Sequence, residues 1–305
     1  MTFMPSLSQA LVEAFVGGVD RLDAQLLLLH ALGTAPTQVG SGRAWLLAHG
    51  DDPVSESVLP TFRRSIVRRA GGEPLAYITG RKEFFGLDLQ VDPRVLVPRP
   101  DTETLVVWAL EVLAKAAEQH GAGDIAALDL GTGSGAVALA LKYKLPCLLV
   151  DATDASADAL AVARTNASAL GLEIGFSHGS WLDPVTRGYH CIVSNPPYVC
   201  AHDPHLAALA HEPVRALVAG MDGLDDIRQI VRQASIWLYP GAWLLLEHGY
   251  DQADTVQALL TCAGYQNVES RRDLAGHLRC TGGQLPPQRP NAPNPGIHHS
   301  IGMVK

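Results

Sequence analysis

Over residues 6–71, apolar side chains recur at three- and four-residue intervals, the spacing of helices that bury one face. The runs SLSQALVEAF, DRLDAQLLLLHALG and SESVLPTFRRSIVRRAGG carry this pattern, and Gly33, Gly50 and Gly71-Gly72 sit where helix C-caps are expected. The pattern predicts a small helical bundle. Ahead of a larger domain, such a bundle serves either to dock a partner or to support the fold. From EPLAYITGRKEFFGLDLQVDPRVLVPRP the period shortens, and LAYITG and FGLDLQVD read as the strands of a β-hairpin connector.

After a helical stretch at residues 101–119, the two periods alternate. Strands are predicted at IAALDL, CLLVDAT, EIGFSH, HCIVSN, AWLLLEH and YQNVESRR. Helices are predicted at GAVALALK, SADALAVARTNASAL, DDIRQIVRQASIWL and QADTVQALLTCAG. That rhythm belongs to an α/β fold: a Rossmann-like, doubly wound parallel sheet with helices on both faces. The last stretch, TGGQLPPQRPNAPNPGIHHSIGMVK, is rich in Pro, Asn and Gly and reads as a loose tail. The expected domains are a helical domain at 1–73, a hairpin linker at 74–98, the sheet domain at 99–280 and a disordered tail at 281–305.

Composition narrows the class. The 305 residues are 47% hydrophobic and 18% charged, enough apolar surface for well-formed cores. A net charge of −8 argues against nonspecific nucleic-acid binding, which needs a basic footprint. The five cysteines include no C-x-x-C pair, so neither a zinc site nor a disulfide framework is supported. The N-terminal residues lack the basic start and long apolar run of a signal peptide, and no run matches a membrane span, so a cytoplasmic location is expected.

Candidate chemistry gathers at predicted strand ends. In ALDLGTGSGA, Gly131, Gly133 and Gly135 allow a tight turn and close backbone approach to a ligand at a helix N-terminus. A dinucleotide oxidoreductase would use the same loop if Ala136 took the third position of its fingerprint. Asp129 beside the loop would repel a pyrophosphate but attract the ammonium and sulfonium of S-adenosylmethionine. In LLVDATDAS, Asp151 or Asp154 could accept a ribose diol, and Asp154 is better placed at the strand end. Trp181 could cover an adenine face or simply fill core.

The sharpest motif is Asn195-Pro196-Pro197-Tyr198, closing the fourth predicted strand of the sheet. Two prolines fix the backbone. The Asn195 side-chain oxygen and the Pro196 carbonyl are two acceptors on a stiff corner, and Tyr198 offers a flat face. Together they suit a planar –NH₂ group, held so that its lone pair meets an electrophilic methyl carbon. His248 in LLLEHGY reads as structural, because this chemistry needs no imidazole.

These residues together resemble amino-methyltransferases of the Asn-Pro-Pro-Tyr class. From about residue 11 to 278, the chain resembles the protein-(glutamine-N(5)) methyltransferases of peptide-chain release factors. The most specific pieces are EPLAYITGRKEFFGLDLQVDPRVLVPRPDTE, LDLGTGSGA, IVSNPPYV, DPHL and HEPVRALVAG. The resemblance implies a helical domain that helps dock the release factor, a hairpin linker and a seven-stranded S-adenosylmethionine domain. It implies cofactor contacts at Gly131, Thr132, Gly133, Ser134, Gly135, Asp154, Trp181 and Asn195. It implies a glutamine pocket of Asn195, Pro196, Pro197 and Tyr198, with Phe84 or Phe85 and Arg99 nearby. The implied substrate is the glutamine of the release factors' Gly-Gly-Gln loop. Related enzymes that methylate a ribosomal-protein glutamine share NPPY and much of VLVPR, whereas Asp101-Thr102-Glu103 resembles the release-factor branch. A non-catalytic protein that keeps the fold is the remaining alternative. The family closes its sheet with a strand after a segment like DLAGHLR. Here Gly and Pro follow, which leaves that last strand truncated or altered. Gly282-Gly283-Gln284 repeats the substrate tripeptide, by chance or as a pseudosubstrate.

Overall fold

The computed structural model describes residues 4–33, 39–121 and 123–287. It divides into two compact units. One holds the described residues up to Lys82 together with Val91–Pro93; the other holds Glu83–Gln90 and the described residues from Arg94 onward.

The first unit is helical: α1 (Leu7–Val16), α2 (Arg21–Ala31), α3 (Val39–Ala48), α4 (Leu59–Ala70) and α5 (Leu75–Thr79). A capping box between Ser6 and Gln9 starts α1, and the Asp20 carboxylate caps α2. The shared core includes Leu7, Ala10, Leu27, Leu28, Phe62 and Ile78. The segment LAYIT differs from expectation, forming α5 rather than a strand. Gly80, at φ 72°, closes that single turn, and Ala76, Tyr77 and Ile78 are buried consecutively, a pattern that fits either period over so short a run. The hairpin is therefore shorter than residues 74–98, with strands β1 (Arg81–Phe84) and β2 (Leu87–Gln90). Phe85 and Gly86 between them both have positive φ, as a tight two-residue hairpin turn requires.

The second unit contains α6 (Glu103–His120), β3 (Ala126–Leu130), α7 (Ala136–Lys144), β4 (Leu149–Asp154), α8 (Ala157–Leu170), β5 (Gly175–His178) and β6 (Tyr189–Ser194). These are followed by α9 (Asp225–Ala234), β7 (Leu238–Glu247), α10 (Ala253–Cys262), β8 (Gln266–Arg272) and β9 (Leu278–Gln284). The sheet has seven strands in the order β5-β4-β3-β6-β7-β9-β8. Pairings from β5 through β7 are parallel, whereas β9 runs antiparallel to both β7 and β8. Alternate strand residues feed two cores: Ala127, Val193 and Leu245 face α6 and α7, while Leu128, Ile192 and Leu244 face α9 and α10. The strand order reverses between β3 and β6, which makes their carboxyl ends the switch point where doubly wound sheets bind ligands. Among the described residues, no helix is long and apolar enough to cross a membrane.

The closing strand is intact, contrary to expectation. Thr281–Gln284, expected to open the tail, forms part of β9; residues 288–305 of that tail lie outside the described residues. Gly282 and Gly283 lie in the strand because their neighbours leave no room for a side chain. A Cβ on Gly282 would lie 2.4 Å from Leu245 Cδ2 and 2.7 Å from Trp108 Cη2; one on Gly283 would lie 2.8 Å from Tyr265 Cβ. Large side chains on adjacent elements fill the space that glycine leaves. Gln284, the candidate pseudosubstrate, lies within β9. It pairs with Trp243, toward the start of β7, and its amide donates to Gly241 O and accepts from Asn267 Nδ2, both at 2.8 Å. Gly282→Ala is expected to destabilise the sheet domain by about 1–3 kcal/mol through overpacking, read as a lower midpoint in urea unfolding.

Candidate active site

The glycine loop links β3 to α7. Gly131, Gly133 and Gly135 have φ of 68°, 56° and 83°, a left-handed backbone that other residues adopt only under strain. Gly131 and Thr132 donate to Thr153 O at 2.9 and 3.0 Å, so the loop hangs from β4. Below it, Asp129 Oδ2 accepts from the Thr132 hydroxyl at 2.6 Å and from Ala138 N–H at 3.2 Å. Burial pushes the Asp129 pKa up to about 6, despite these hydrogen bonds. Asp129, 2% exposed, therefore braces the loop from inside.

Asp154 ends β4. Its Oδ2 accepts from Gly133 N–H at 2.9 Å and its Oδ1 from Ser156 N–H at 2.8 Å. Each carboxylate oxygen keeps further acceptor capacity for a diol. Asp151 is engaged elsewhere, accepting from Arg187 Nε at 2.7 Å and from the Tyr189 hydroxyl at 2.8 Å. Trp181 adopts φ 44°, rare for an aromatic residue, and its indole N–H donates to Asp226. A Cβ on Gly131 would sit 3.1 Å from the Trp181 ring, so the loop glycine lets the indole close in.

The Asn-Pro-Pro-Tyr corner follows β6 at the same sheet end. Register pairs Leu130 with Ser194, which sets Gly131 and Asn195 on neighbouring strand ends. The Asn195 amide donates from Nδ2 to Thr102 Oγ1 at 3.1 Å, leaving Oδ1 as its acceptor for a ligand. Past the corner, Gln252 Nε2 donates to Tyr198 O at 3.1 Å, and Val199 exchanges backbone bonds with Leu217 and Ala219. A Cβ on Gly223 would lie 2.2 Å from Tyr198 O, so only glycine lets that strand-end backbone pass.

A cavity of about 410 Å³ joins these parts: Gly131, Gly133, Asp154, Trp181, Asn195 and Pro197 all line it. A larger cavity of about 870 Å³, around β5, is lined by Asp151 but by none of the other candidate site residues.

The PrmC N-terminal domain family matches residues 7–80, and the methyltransferase small domain family matches residues 108–218. Over 276 residues the chain is 45% identical to the release factor glutamine methyltransferase of Coxiella burnetii, covering 90% of this chain and 94% of that one. The chain belongs to the release factor glutamine methyltransferase family. The Burkholderia pseudomallei protein of the same name is 44% identical over 296 residues, covering 93% of this chain and 99% of that one. Among solved structures, a methyltransferase from Pyrococcus furiosus shares the fold, with a TM-score of 0.50 at 19% identity, covering 73% of this chain and 98% of that one.

As a member of this family, the protein is an S-adenosylmethionine-dependent methyltransferase, and the dinucleotide reading of the glycine loop falls. The donor set fits that cofactor. Asp154 offers acceptors for a ribose, Trp181 a flat apolar face, and the glycine turn an open backbone wall. Other family-implied residues do not line the cavity. Phe84 is 1% exposed within the core, and Phe85 is half-buried under the Lys144 ammonium. Arg99 pairs with Glu212, which also accepts from Val97 N–H, so it ties VLVPR to HEPVR. Ser134 and Thr132 are buried, and neither they nor Gly135 line the cavity. Pro196 is buried and Tyr198 half-buried, and neither of them lines it. His248 is structural, with its ring bonded to Gly249 O and Thr281 Oγ1.

Sequence reading passed over Arg94, Ser156, Arg215 and Asp226, which line the cavity. Arg215 lies within HEPVRALVAG, so the motif signalled it. Asp226 sits in the first turn of α9 with only an amphipathic pattern around it, and nothing there marks a site. Asp154→Asn is expected to weaken S-adenosylmethionine binding about ten- to a hundredfold, measured by isothermal titration calorimetry. Asp151→Asn, whose carboxyl is held by Arg187 and Tyr189, is expected to leave that Kd unchanged.

Proposed function

We propose that this protein transfers a methyl group to the side-chain amide nitrogen of the glutamine in the Gly-Gly-Gln loop of peptide-chain release factors. The observation that carries this reading is the shared cavity: the Asn195 corner and the Asp154–Trp181 wall open onto one space at the switch point of the sheet. The release-factor assignment is supported by the names of the curated relatives, and the glutamine by the acceptor pair on the corner.

An amide nitrogen is a poor nucleophile because its lone pair is delocalised into the carbonyl. Asn195 Oδ1 and the Pro196 carbonyl accept its two hydrogens and orient the lone pair toward the methyl donor. The same two acceptors stabilise positive charge as it grows on nitrogen. Tyr198 keeps the amide group flat. Asp154 and Trp181 hold the donor's ribose and adenine, so most of the barrier reduction comes from alignment. When bound, S-adenosylmethionine supplies an electrophilic methyl carbon, whose bond to sulfur breaks as the bond to nitrogen forms. The methylated nitrogen is acidic while it carries charge and releases one proton to solvent, so no strong base is needed.

Incubating the enzyme with purified release factor and labelled S-adenosylmethionine is expected to place one methyl on the loop glutamine, located by peptide mass spectrometry. The loop Gln→Ala release factor is expected to take none. Equal transfer to both would overturn the assigned target, and transfer only to a ribosomal protein would move the assignment there. Asn195→Ala is expected to lower kcat about a hundredfold or more, with S-adenosylmethionine affinity changed far less.

A further inference from the structure

Glu247, the last residue of β7, is fully buried, and its Oε2 has no hydrogen-bond partner. A buried carboxyl with an unpaired oxygen lowers stability, so packing does not account for it. Its partners point to the active site. The Tyr198 hydroxyl donates to Oε1 at 3.4 Å, and the Thr102 hydroxyl lies beside the same carboxyl, where it favours the charged form. Thr102, 4% exposed, accepts Nδ2–H of Asn195 through the same oxygen at 3.1 Å. A hydroxyl that accepts from an amide keeps its own proton to offer, so the polarisation runs in one direction, from Asn195 through Thr102 to Glu247.

We propose that Glu247 is a positioning residue for methyl transfer, acting through Thr102 on Asn195 and directly on Tyr198. This rests on the roles given to Asn195 and Tyr198 above. A negative carboxylate draws the Thr102 proton toward it and makes Oγ1 a stronger acceptor. That in turn draws on the Asn195 N–H and builds negative charge on Oδ1, the atom offered to the substrate –NH₂. The pull is greatest as positive charge grows on the substrate nitrogen, so the effect falls on kcat more than on binding. The same carboxylate fixes the Tyr198 phenol, and with it the ring that keeps the amide flat.

The charge is conditional on pH. Groups facing Glu247 are Asp101 from the Pro100–Thr102 turn, Arg279 and the Cys280 thiol from β9, and the Tyr198 phenol from the corner. Burial raises the Glu247 pKa most strongly, the Thr102 hydroxyl opposes it, Asp101 adds to the rise, and Arg279 and Tyr198 oppose it, for a value of about 7. The carboxylate therefore forms as pH rises through about 7, and below that pH the pull on Asn195 is lost.

The test compares full-length wild type with Glu247→Gln, Thr102→Val and Thr102→Ser. Steady-state kinetics are read from about pH 6 to 8.5. Expected are a wild-type kcat that rises through about pH 7, and an E247Q kcat lower by about ten- to a hundredfold and flat over that range. Calorimetric S-adenosylmethionine affinity and the KM for protein substrate should stay near wild type in E247Q. T102V should fall like E247Q, and T102S, which restores the hydroxyl, should recover. Wild-type kcat in E247Q, a surviving pH limb in it, or equal damage from T102S and T102V would overturn the proposal. Loss of cofactor binding in E247Q would also overturn it, by making Glu247 a residue of the fold alone. The kinetics are read on whichever glutamine-bearing protein the wild type methylates. Inactivity on the release factor therefore counts against the proposed substrate, and the variant-to-wild-type ratio against this inference.

Discussion

The site depends on the parallel pairing of β3 with β6, and on its register. Leu130 lies opposite Ser194, so Gly131 and Asn195 leave the sheet side by side, although two helices and two strands separate them in sequence. The Ser194 hydroxyl donates to Leu130 O at 2.7 Å and pins this register from a side chain. A slip by one residue would reverse which core each side chain enters, and two buried cores oppose it. The loop and the acceptor corner are thus positioned by backbone hydrogen bonds and burial, and neither has to find the other.

The same logic explains what could be read from the chain. Asp154 and the three glycines are legible because a turn of left-handed backbone beside an acid needs those residue types at that spacing. Asn195-Pro196 is legible because two prolines are costly anywhere a flexible corner would serve. The central strands β3 and β6 are legible because each is a short apolar run of the right length. What escaped depended on partners remote in sequence. The family resemblance implies Phe84 and Arg99 near the glutamine pocket, yet one fills core and the other finds Glu212 at a separation of 113 residues. Glu247 sits in LLLEHGY, where it looks like the polar end of a strand; only its contacts with Thr102 and Tyr198 give it meaning. Gly282 and Gly283 look like a tail until Trp108 and Tyr265 are placed over them.

Two buried carboxyls lie under the site, and they differ in how they are compensated. Asp129 has two donors on one oxygen and holds the loop at a modest electrostatic cost. Glu247 keeps an oxygen unpaired, and its charge is poised near neutrality rather than fixed. The first arrangement braces the loop, and burial raises that carboxyl too, to about 6. The second makes the acceptor corner responsive, at the expense of stability, as expected where a local rule is broken next to chemistry.

The insertion of β9 between β7 and β8 bears on how the enzyme is made. β7 carries Glu247, yet one of its edges stays unpaired until the residues through Gln284 have been synthesised and have folded back. On the ribosome, all the cofactor-wall strands, β3 to β6, emerge before that edge can close. A nascent chain therefore presents a long apolar strand edge until β9 has been made, the kind of surface that chaperones hold and that aggregates when they do not. An enzyme whose relatives are named for release factors thus cannot complete its own sheet until Gln284 has been added to the chain.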